Sequence, residues 1–296
     1  MAELLPLVQA ENIRESMLDY LTTTFALTDP DAAAALEEFL QSPEDGIFRG
    51  PFVKTSLPFY GSEDGSSALE WDLGFTPYGH QSAAFARLAS SRDGLPVRPL
   101  PTVVTTGTGS GKTEAFLYPI LDHVVRMRRK GQDGIKALIL YPMNALANDQ
   151  AGRLAKLLTT DPELEGITAA VYTGQAGPER TVVSSEGLIT DRYTIRSDVP
   201  DILLTNYKML DQLLLREADQ VLWQKSADSL QYLVLDEFHT YDGAQGTDVA
   251  MLLRRLGLAL RHYGNPELLT EEDQTRPLGR VTPVATSATL GADNTA

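Results

Sequence analysis

The segment Thr106-Gly107-Thr108-Gly109-Ser110-Gly111-Lys112-Thr113 has the residue types needed to hold phosphate. Glycines let a backbone approach phosphate oxygens and turn several N–H groups inward. A helix opening at the end of the segment adds its positive N-terminal end. Lys112 can reach the β- and γ-phosphates of ATP, and the Thr113 hydroxyl can ligate Mg²⁺. The pattern is that of a P-loop with Thr106 at the usual first glycine. A second constellation is Tyr232-Leu233-Val234-Leu235-Asp236-Glu237-Phe238-His239. An apolar run ends there in two acids. Asp236 is placed to hold hydrated Mg²⁺, and Glu237 to orient and deprotonate an attacking water. A glycine-rich turn or an acidic turn alone is common. Their occurrence in one chain points to ATP and Mg²⁺.

Both constellations need strands that end where the chemistry begins. Short apolar, β-rich runs lie at Thr102–Thr105, Ala137–Tyr141, Ala169–Tyr172, Ile202–Thr205, Tyr232–Leu235 and Val281–Ala285. Helical patterns fall between most of them, at Glu114–Arg129, Ala145–Leu158, Tyr207–Trp223 and Thr247–Arg261. This alternation predicts βαβ units and a mostly parallel sheet buried on both faces, an α/β fold. Upstream, two amphipathic helices are expected. One runs through Ile13, Met17, Leu18 and Leu21. The other is capped by Asp29, starts at Pro30 and has Leu36, Phe39 and Leu40 on its apolar face. The Pro- and Gly-rich stretch from Ser42 to Ser67 reads as loop and linker. Residues 1–70 are therefore expected to be a small, mainly helical appendage for packing or partner docking, and 71–296 the main domain.

The chain has 296 residues and no cysteine. That excludes disulfides and thiolate metal sites, and fits a cytoplasmic location. The N-terminus lacks a secretory signal, and no apolar run is long enough for a membrane span. The net charge of −15 argues against a generally basic surface for nucleic acid. Its distribution weakens that objection: residues 1–70 carry 13 acids against 3 bases, and residues 71–296 carry 27 against 22. The basic run Arg126–Lys130 suits a helix C-terminus. Trp71, Trp223 and Tyr241 are read as packing residues, and His80, His123 and His262 as ordinary surface or core histidines. The segment Gln175–Pro200 is long and mixed, and its residues do not decide whether it is a loop that contacts nucleic acid.

The quartet Asp236-Glu237-Phe238-His239 resembles motif II of superfamily 2 helicases, the DEAD/DEAH-box group, with Phe238 in the usual Ala position. Other motifs of that family follow in order. Phe75-Thr76-Pro77-Tyr78-Gly79-His80-Gln81 resembles the Q motif, and Thr106–Thr113 motif I. Tyr141-Pro142-Met143-Asn144-Ala145-Leu146-Ala147-Asn148-Asp149-Gln150 is similar to motif Ia. Thr173-Gly174 looks like the small Gly element, Thr205-Asn206-Tyr207-Lys208-Met209-Leu210 like motif Ib, and Ser287-Ala288-Thr289 like motif III. The extended run from Asp236 to Asp248 resembles bacterial helicases of the Lhr and MrfA/YprA kind and large phage-defence helicases.

The resemblance implies a RecA-like P-loop NTPase fold for the main domain. It implies that Gln81 contacts adenine with Phe75 or Tyr78 stacking nearby, and that His239 couples the ATP site to Ser287 and Thr289. It places a single nucleic-acid strand against Pro142, Asn144, Gly174, Thr205 and Asn206, gripped by amides and hydroxyls that read phosphate rather than bases. DNA is favoured over RNA on the subgroup resemblance alone, with DNA repair or phage-defence complexes as settings. Superfamily 2 motors carry a second RecA-like domain with arginine fingers. Its motifs do not occur here, so the expected partner is the remainder of the same polypeptide. A chain lacking those arginines is expected to bind ATP with little hydrolysis. The alternative is a non-catalytic nucleotide-binding module that docks in a larger complex.

Overall fold

The computed structural model describes residues 5–48, 59–62, 68–107, 109–175 and 177–288. It divides into two compact units, residues 1–58 and 59–296. Thr108, Thr289 and parts of the expected linker lie outside the described residues.

The first unit holds two helices, α1 (Pro6–Thr24) and α2 (Pro30–Gln41). A proline in the first turn suits both, because its missing N–H would have no helical partner there. Asp29 caps α2 as expected, accepting from the amides of Asp31 and Ala32 at 2.9 and 3.0 Å. Of the expected apolar face, only Leu40 is buried, and Phe39 is exposed.

The larger unit opens with α3 (Gly79–Leu88) and a small antiparallel hairpin of β1 (Ser91–Arg92) and β2 (Leu95–Pro96). The main sequence of elements then runs β3 (Thr102–Thr105), α4 (Lys112–Arg129), β4 (Ala137–Tyr141), α5 (Asn144–Thr160) and β5 (Ala169–Tyr172). It continues through α6 (Arg192–Ser197), β6 (Ile202–Asn206), α7 (Tyr207–Leu215), α8 (Gln220–Ser226) and β7 (Tyr232–Leu235). It closes with α9 (Gly243–Tyr263), α10 (Glu271–Thr275) and β8 (Thr282–Ser287). Strands β3 to β8 form one six-stranded sheet in the order β3-β8-β7-β4-β6-β5, every neighbouring pair parallel.

Alternation along the strands divides the core. Ile139, Val171, Leu204 and Val234 face α4 and α5, while Leu138, Leu140, Leu203 and Leu233 face α7, α8 and α9. With both faces covered, β4, β5 and β7 read as continuous apolar runs, which is why they stood out in the sequence, whereas β3 leaves Val103 and Thr105 exposed. Trp71, Trp223 and Tyr241 are buried packing residues, as expected. No helix among the described residues is long and apolar enough to cross a membrane.

Two elements differ from expectation. The helix expected over Tyr207–Trp223 is broken at Arg216, whose backbone is extended. The break lets Asp219 bury its carboxylate against the Arg196 guanidinium at 2.7 Å, while the Trp223 indole N–H reaches the Leu213 carbonyl at 3.0 Å. A continuous helix would forfeit both contacts. The segment after Gly174 folds back along the sheet edge. Val171 N–H donates to the Ile189 carbonyl at 2.9 Å, and Ile189 N–H to Ala169 at 3.1 Å. These bonds cover the exposed edge of β5.

Candidate nucleotide and nucleic-acid site

Ligands of open parallel sheets bind outside the carboxyl ends of the strands. That edge is where the sequence motifs fall. Strands β3, β8 and β7 are neighbours, so the phosphate loop, Ser287 and the acidic pair come together. Strands β4, β6 and β5 form the other half: Asn144 opens the helix after β4, Asn206 ends β6, and Gly174 lies just after β5.

The phosphate loop leaves β3 and enters α4 through Gly109 and Gly111, at φ +75° and +76°. This left-handed region favours glycine, and a Cβ on Gly111 would also collide with the Gln81 amide. Ser110 is fully buried and lies 2.5 Å from the Thr106 hydroxyl, so its side chain braces the loop. Lys112 Nζ donates to the carbonyls of Thr106 and Gly107 at 2.9 and 3.2 Å, holding the ammonium over the loop.

Gln81, expected at adenine, is buried. Its Oε1 accepts from Tyr78 N–H at 2.9 Å, and its Nε2 donates to the Gly111 carbonyl at 3.1 Å. One side chain therefore ties the aromatic segment Phe75–Tyr78 to the phosphate loop. His80, read from sequence as an ordinary histidine, does the same work beside it, with Nε2 2.8 Å from the Ser110 carbonyl. Its ring stacks on Tyr78 at 5.8 Å, and Phe59 packs against both. The position of His80 in the first turn of α3, next to Gln81, was the signal for this role. An open cleft of about 600 Å³ runs from Phe75 and Tyr78 past Lys112 and Thr113 to Glu237, a size that suits a nucleotide.

At the end of β7, Asp236 is buried and accepts hydrogen bonds from the Thr286 hydroxyl and from Glu237 N–H, the latter at 3.1 Å. Both fall on Oδ1. Burial pushes the Asp236 carboxyl up from the ordinary range, and the neighbouring Glu237 adds to the effect. A buried carboxylate of this kind gains from a cation. Thr286 is a second residue the sequence reading missed, although it stands one position before Ser287 on the same strand. Glu237 adopts φ +49°, a strained backbone at the turn that follows β7. Its Oε2 is buried without a hydrogen bond, 3.4 Å from His239 Nδ1. That imidazole nitrogen also lies 3.0 Å from Ser287 Oγ. Among the described residues no group of three or more His, Cys, Asp or Glu could cage a metal. One carboxylate and one hydroxyl suit Mg²⁺, which keeps several waters and takes the rest of its shell from phosphate.

On the other half of the edge, Asn206 Nδ2 donates to Asn144 Oδ1 at 2.6 Å, and Asn206 Oδ1 accepts from Met209 N–H at 2.8 Å. The pair joins the turns after β4 and β6. Pro142 is half-buried beside it, and Gly174 is exposed after β5. Thr205 requires a correction: it is fully buried, and its hydroxyl donates to the Tyr172 carbonyl at 2.6 Å. Facing inward between β5 and β6, it positions the turn and cannot offer its hydroxyl to a phosphate. In the basic run at the end of α4, Arg126 pairs with Asp122 at 3.0 Å and Arg128 with Asp201 at 2.8 Å, while Arg129 and Lys130 are exposed.

Fold and site define a RecA-like nucleotide-binding domain, with its phosphate loop and acidic motif on one sheet edge. The family description DEAD/DEAH box helicase matches residues 78–296, and the chain belongs to that family. It carries an ATP-dependent helicase domain. It is 26% identical over 359 aligned positions to the Druantia protein DruE of Escherichia coli, covering 83% of this chain and 19% of that protein. It is 30% identical to the uncharacterized ATP-dependent helicase YprA of Bacillus subtilis, covering 64% of this chain and 21% of that one. The crystal structure of the helicase MrfA bound to DNA and AMPPNP superposes with a TM-score of 0.53 at 26% identity, over 80% of this chain and 27% of that one. The chain thus spans about a fifth of the length of these two curated relatives.

Proposed function

We propose that this chain binds Mg-ATP and the backbone of a single nucleic-acid strand, DNA in preference to RNA, as the first motor domain of a helicase or translocase. Residues 71–296 form the motor domain and residues 1–70 an appendage, and a second RecA-like domain is its working partner. The setting is cytoplasmic, in DNA repair or phage defence. The observation that carries the reading is the division of one sheet edge. The ATP-side residues occupy the ends of β3, β8 and β7, and the Asn144–Asn206 pair occupies the ends of the adjoining β4 and β6.

Each residue has a definable task. The backbone of Gly107, Thr108, Gly109 and Gly111 cradles phosphates, with Lys112 moving from its carbonyls onto the β- and γ-phosphates. Thr113 and Asp236 hold Mg²⁺, which when bound neutralises phosphate charge. Glu237 takes the proton of the attacking water, with His239 Nδ1 3.4 Å from its Oε2. Gln81 holds the adenine end of the cleft to the phosphate loop. His239 links Glu237 to Ser287, and Thr289 shares with Ser287 the task of coupling the ATP site to the rest of the motor. Pro142, Asn144, Gly174 and Asn206 shape the strand-gripping surface.

The test is Glu237→Gln in the full-length protein. Turnover of ATP falls by about 10²–10⁴-fold, the range for losing a general base, while Mg-ATP still binds. Unchanged turnover removes Glu237 as the base. Lys112→Ala, in contrast, weakens Mg-ATP binding itself, and an unaltered affinity sinks the phosphate-cradle assignment.

A further inference from the structure

Helices α4 and α5 lie on the same face of the sheet, yet they serve different halves of its edge. Helix α4 starts at the phosphate loop with Lys112 and Thr113. Helix α5 starts at Asn144, the residue that holds Asn206. Between them is a cavity of about 160 Å³ with an apolar floor that includes Phe116, Leu117, Leu154 and Leu204. Protein interiors are normally close-packed. Both helices pack on the sheet in one core, but at their first turns this open gap leaves them without direct apolar packing on each other.

An ion pair roofs the gap. Arg153 of α5 donates from Nη2 to Glu114 Oε1 of α4 at 2.7 Å, and its Nη1 reaches Gln150 Oε1 at 3.4 Å. Glu114 directly follows Thr113, so it moves with the phosphate loop. Arg153 also borders the nucleotide cleft. The side chains are 53% and 26% exposed, and an ion pair that wet adds little to stability. Its value lies in where it holds the helices.

We propose that the Glu114–Arg153 pair is a coupling latch between the nucleotide and strand sites, an inference that rests on the proposed function. With the latch closed, α5 and its strand-gripping first turn keep a fixed position against the phosphate loop. Phosphates entering the cleft bring negative charge near the same guanidinium and compete with Glu114 for it. The latch then loosens, and the hollow beneath lets α5 shift against α4. Strand binding at the start of α5 acts on the same pair from the other side, because coupling between two sites is reciprocal. Both residues are positioning residues in this scheme.

The experiment is a double-mutant cycle in the full-length protein, reading the factor by which single-stranded oligonucleotide stimulates ATP turnover, with thermal unfolding alongside. Glu114→Gln and Arg153→Gln each lower the stimulation by about 5–20-fold with little change in melting temperature, within the usual range of coupling between sites. The double Gln variant loses no more than either single one, and the exchange Glu114→Arg with Arg153→Glu recovers much of the stimulation. Additive losses overturn the latch, as does no recovery in the exchange variant. A loss of stimulation confined to Arg153→Gln, with Glu114→Gln like wild type, also overturns it, because Arg153 then acts without Glu114. Wild-type turnover indifferent to nucleic acid defeats the functional reading itself, whereas a stimulated wild type with unaltered single variants defeats the latch alone.

Discussion

His239 Nδ1 stands 3.0 Å from the hydroxyl oxygen of Ser287, joining the turn after β7 to the end of β8. The same nitrogen is 3.4 Å from Glu237 Oε2. One imidazole therefore touches both the proposed base and the end of β8. Replacing it by alanine leaves Glu237 in place but cuts its link to Ser287. For His239→Ala we expect a fall in ATP turnover of about 10-fold, worth about 1.4 kcal/mol in the barrier. Strand displacement falls further. The check is the ratio of displacement to turnover in one preparation, and a ratio equal to that of wild type refutes the coupling role.

Asp236 presents a conflict between folding and function. Burial raises its carboxyl pKa, so the folded state favours the protonated acid more than the unfolded chain does. The sign follows: its contribution to stability is present at low pH and lost as pH rises through the folded-state value. At neutral pH the charged carboxylate is a burden until a cation arrives. Asp236→Asn removes the charge and can keep the hydrogen bond from Thr286. The expected result is a higher melting temperature without ligand at neutral pH. ATP turnover falls on the order of 10²-fold, the scale of losing one preorganised electrostatic group. A variant that melts lower than wild type at neutral pH contradicts this account.

Gly111 is required twice, by its positive φ and by the Gln81 amide that stands where a Cβ would go. Alanine there costs roughly 1–2 kcal/mol for the left-handed backbone. It also pushes Gln81 off its bonds to Tyr78 and Gly111. Gly111→Ala is expected to lower the melting temperature and to weaken Mg-ATP binding measurably by titration calorimetry. Wild-type affinity in this variant contradicts the placement of Gln81.

Much of this site was legible because its chemistry is local in sequence. The loop Thr106–Thr113 sits between a strand and a helix, and Asp236-Glu237 ends an apolar run, so position and role come together. Periodicity placed all six strands of the main sheet: the central ones are continuous apolar runs buried on both faces, and the edge strand β3 alternates buried and exposed positions. What escaped depends on contacts between distant elements. Thr286 reaches Asp236 only because β8 lies beside β7, and Arg153 reaches Glu114 only across the α4–α5 gap. Thr205 misled because a threonine in a strand-ending motif looks available, whereas its alternation turns it inward. The break at Arg216 arises from the burial of Asp219 against Arg196, a tertiary contact that helical periodicity does not record.

His123 shows how far packing can set a titration remote from the cleft. Its ring is buried on α4, with Nδ1 2.6 Å from Ser90 Oγ and an edge-on contact to Tyr232. Burial, reinforced by Arg126, Lys136, Arg280 and Lys130, pulls its pKa down to about 3. The folded protein therefore holds His123 neutral, while the unfolded chain takes up a proton near pH 6.5. The resulting contribution to stability is complete above pH 6.5. It is lost progressively as pH falls from there toward about 3. At pH 5 the loss is roughly 2 kcal/mol, at 1.36 kcal/mol per pH unit below 6.5. His123→Phe keeps a flat ring in the same space and abolishes the titration. Between pH 7.5 and pH 5 the wild type should lose roughly 2 kcal/mol more stability than the variant, read from urea unfolding at both values. Equal losses in the two proteins mean that His123 is not held neutral in the fold.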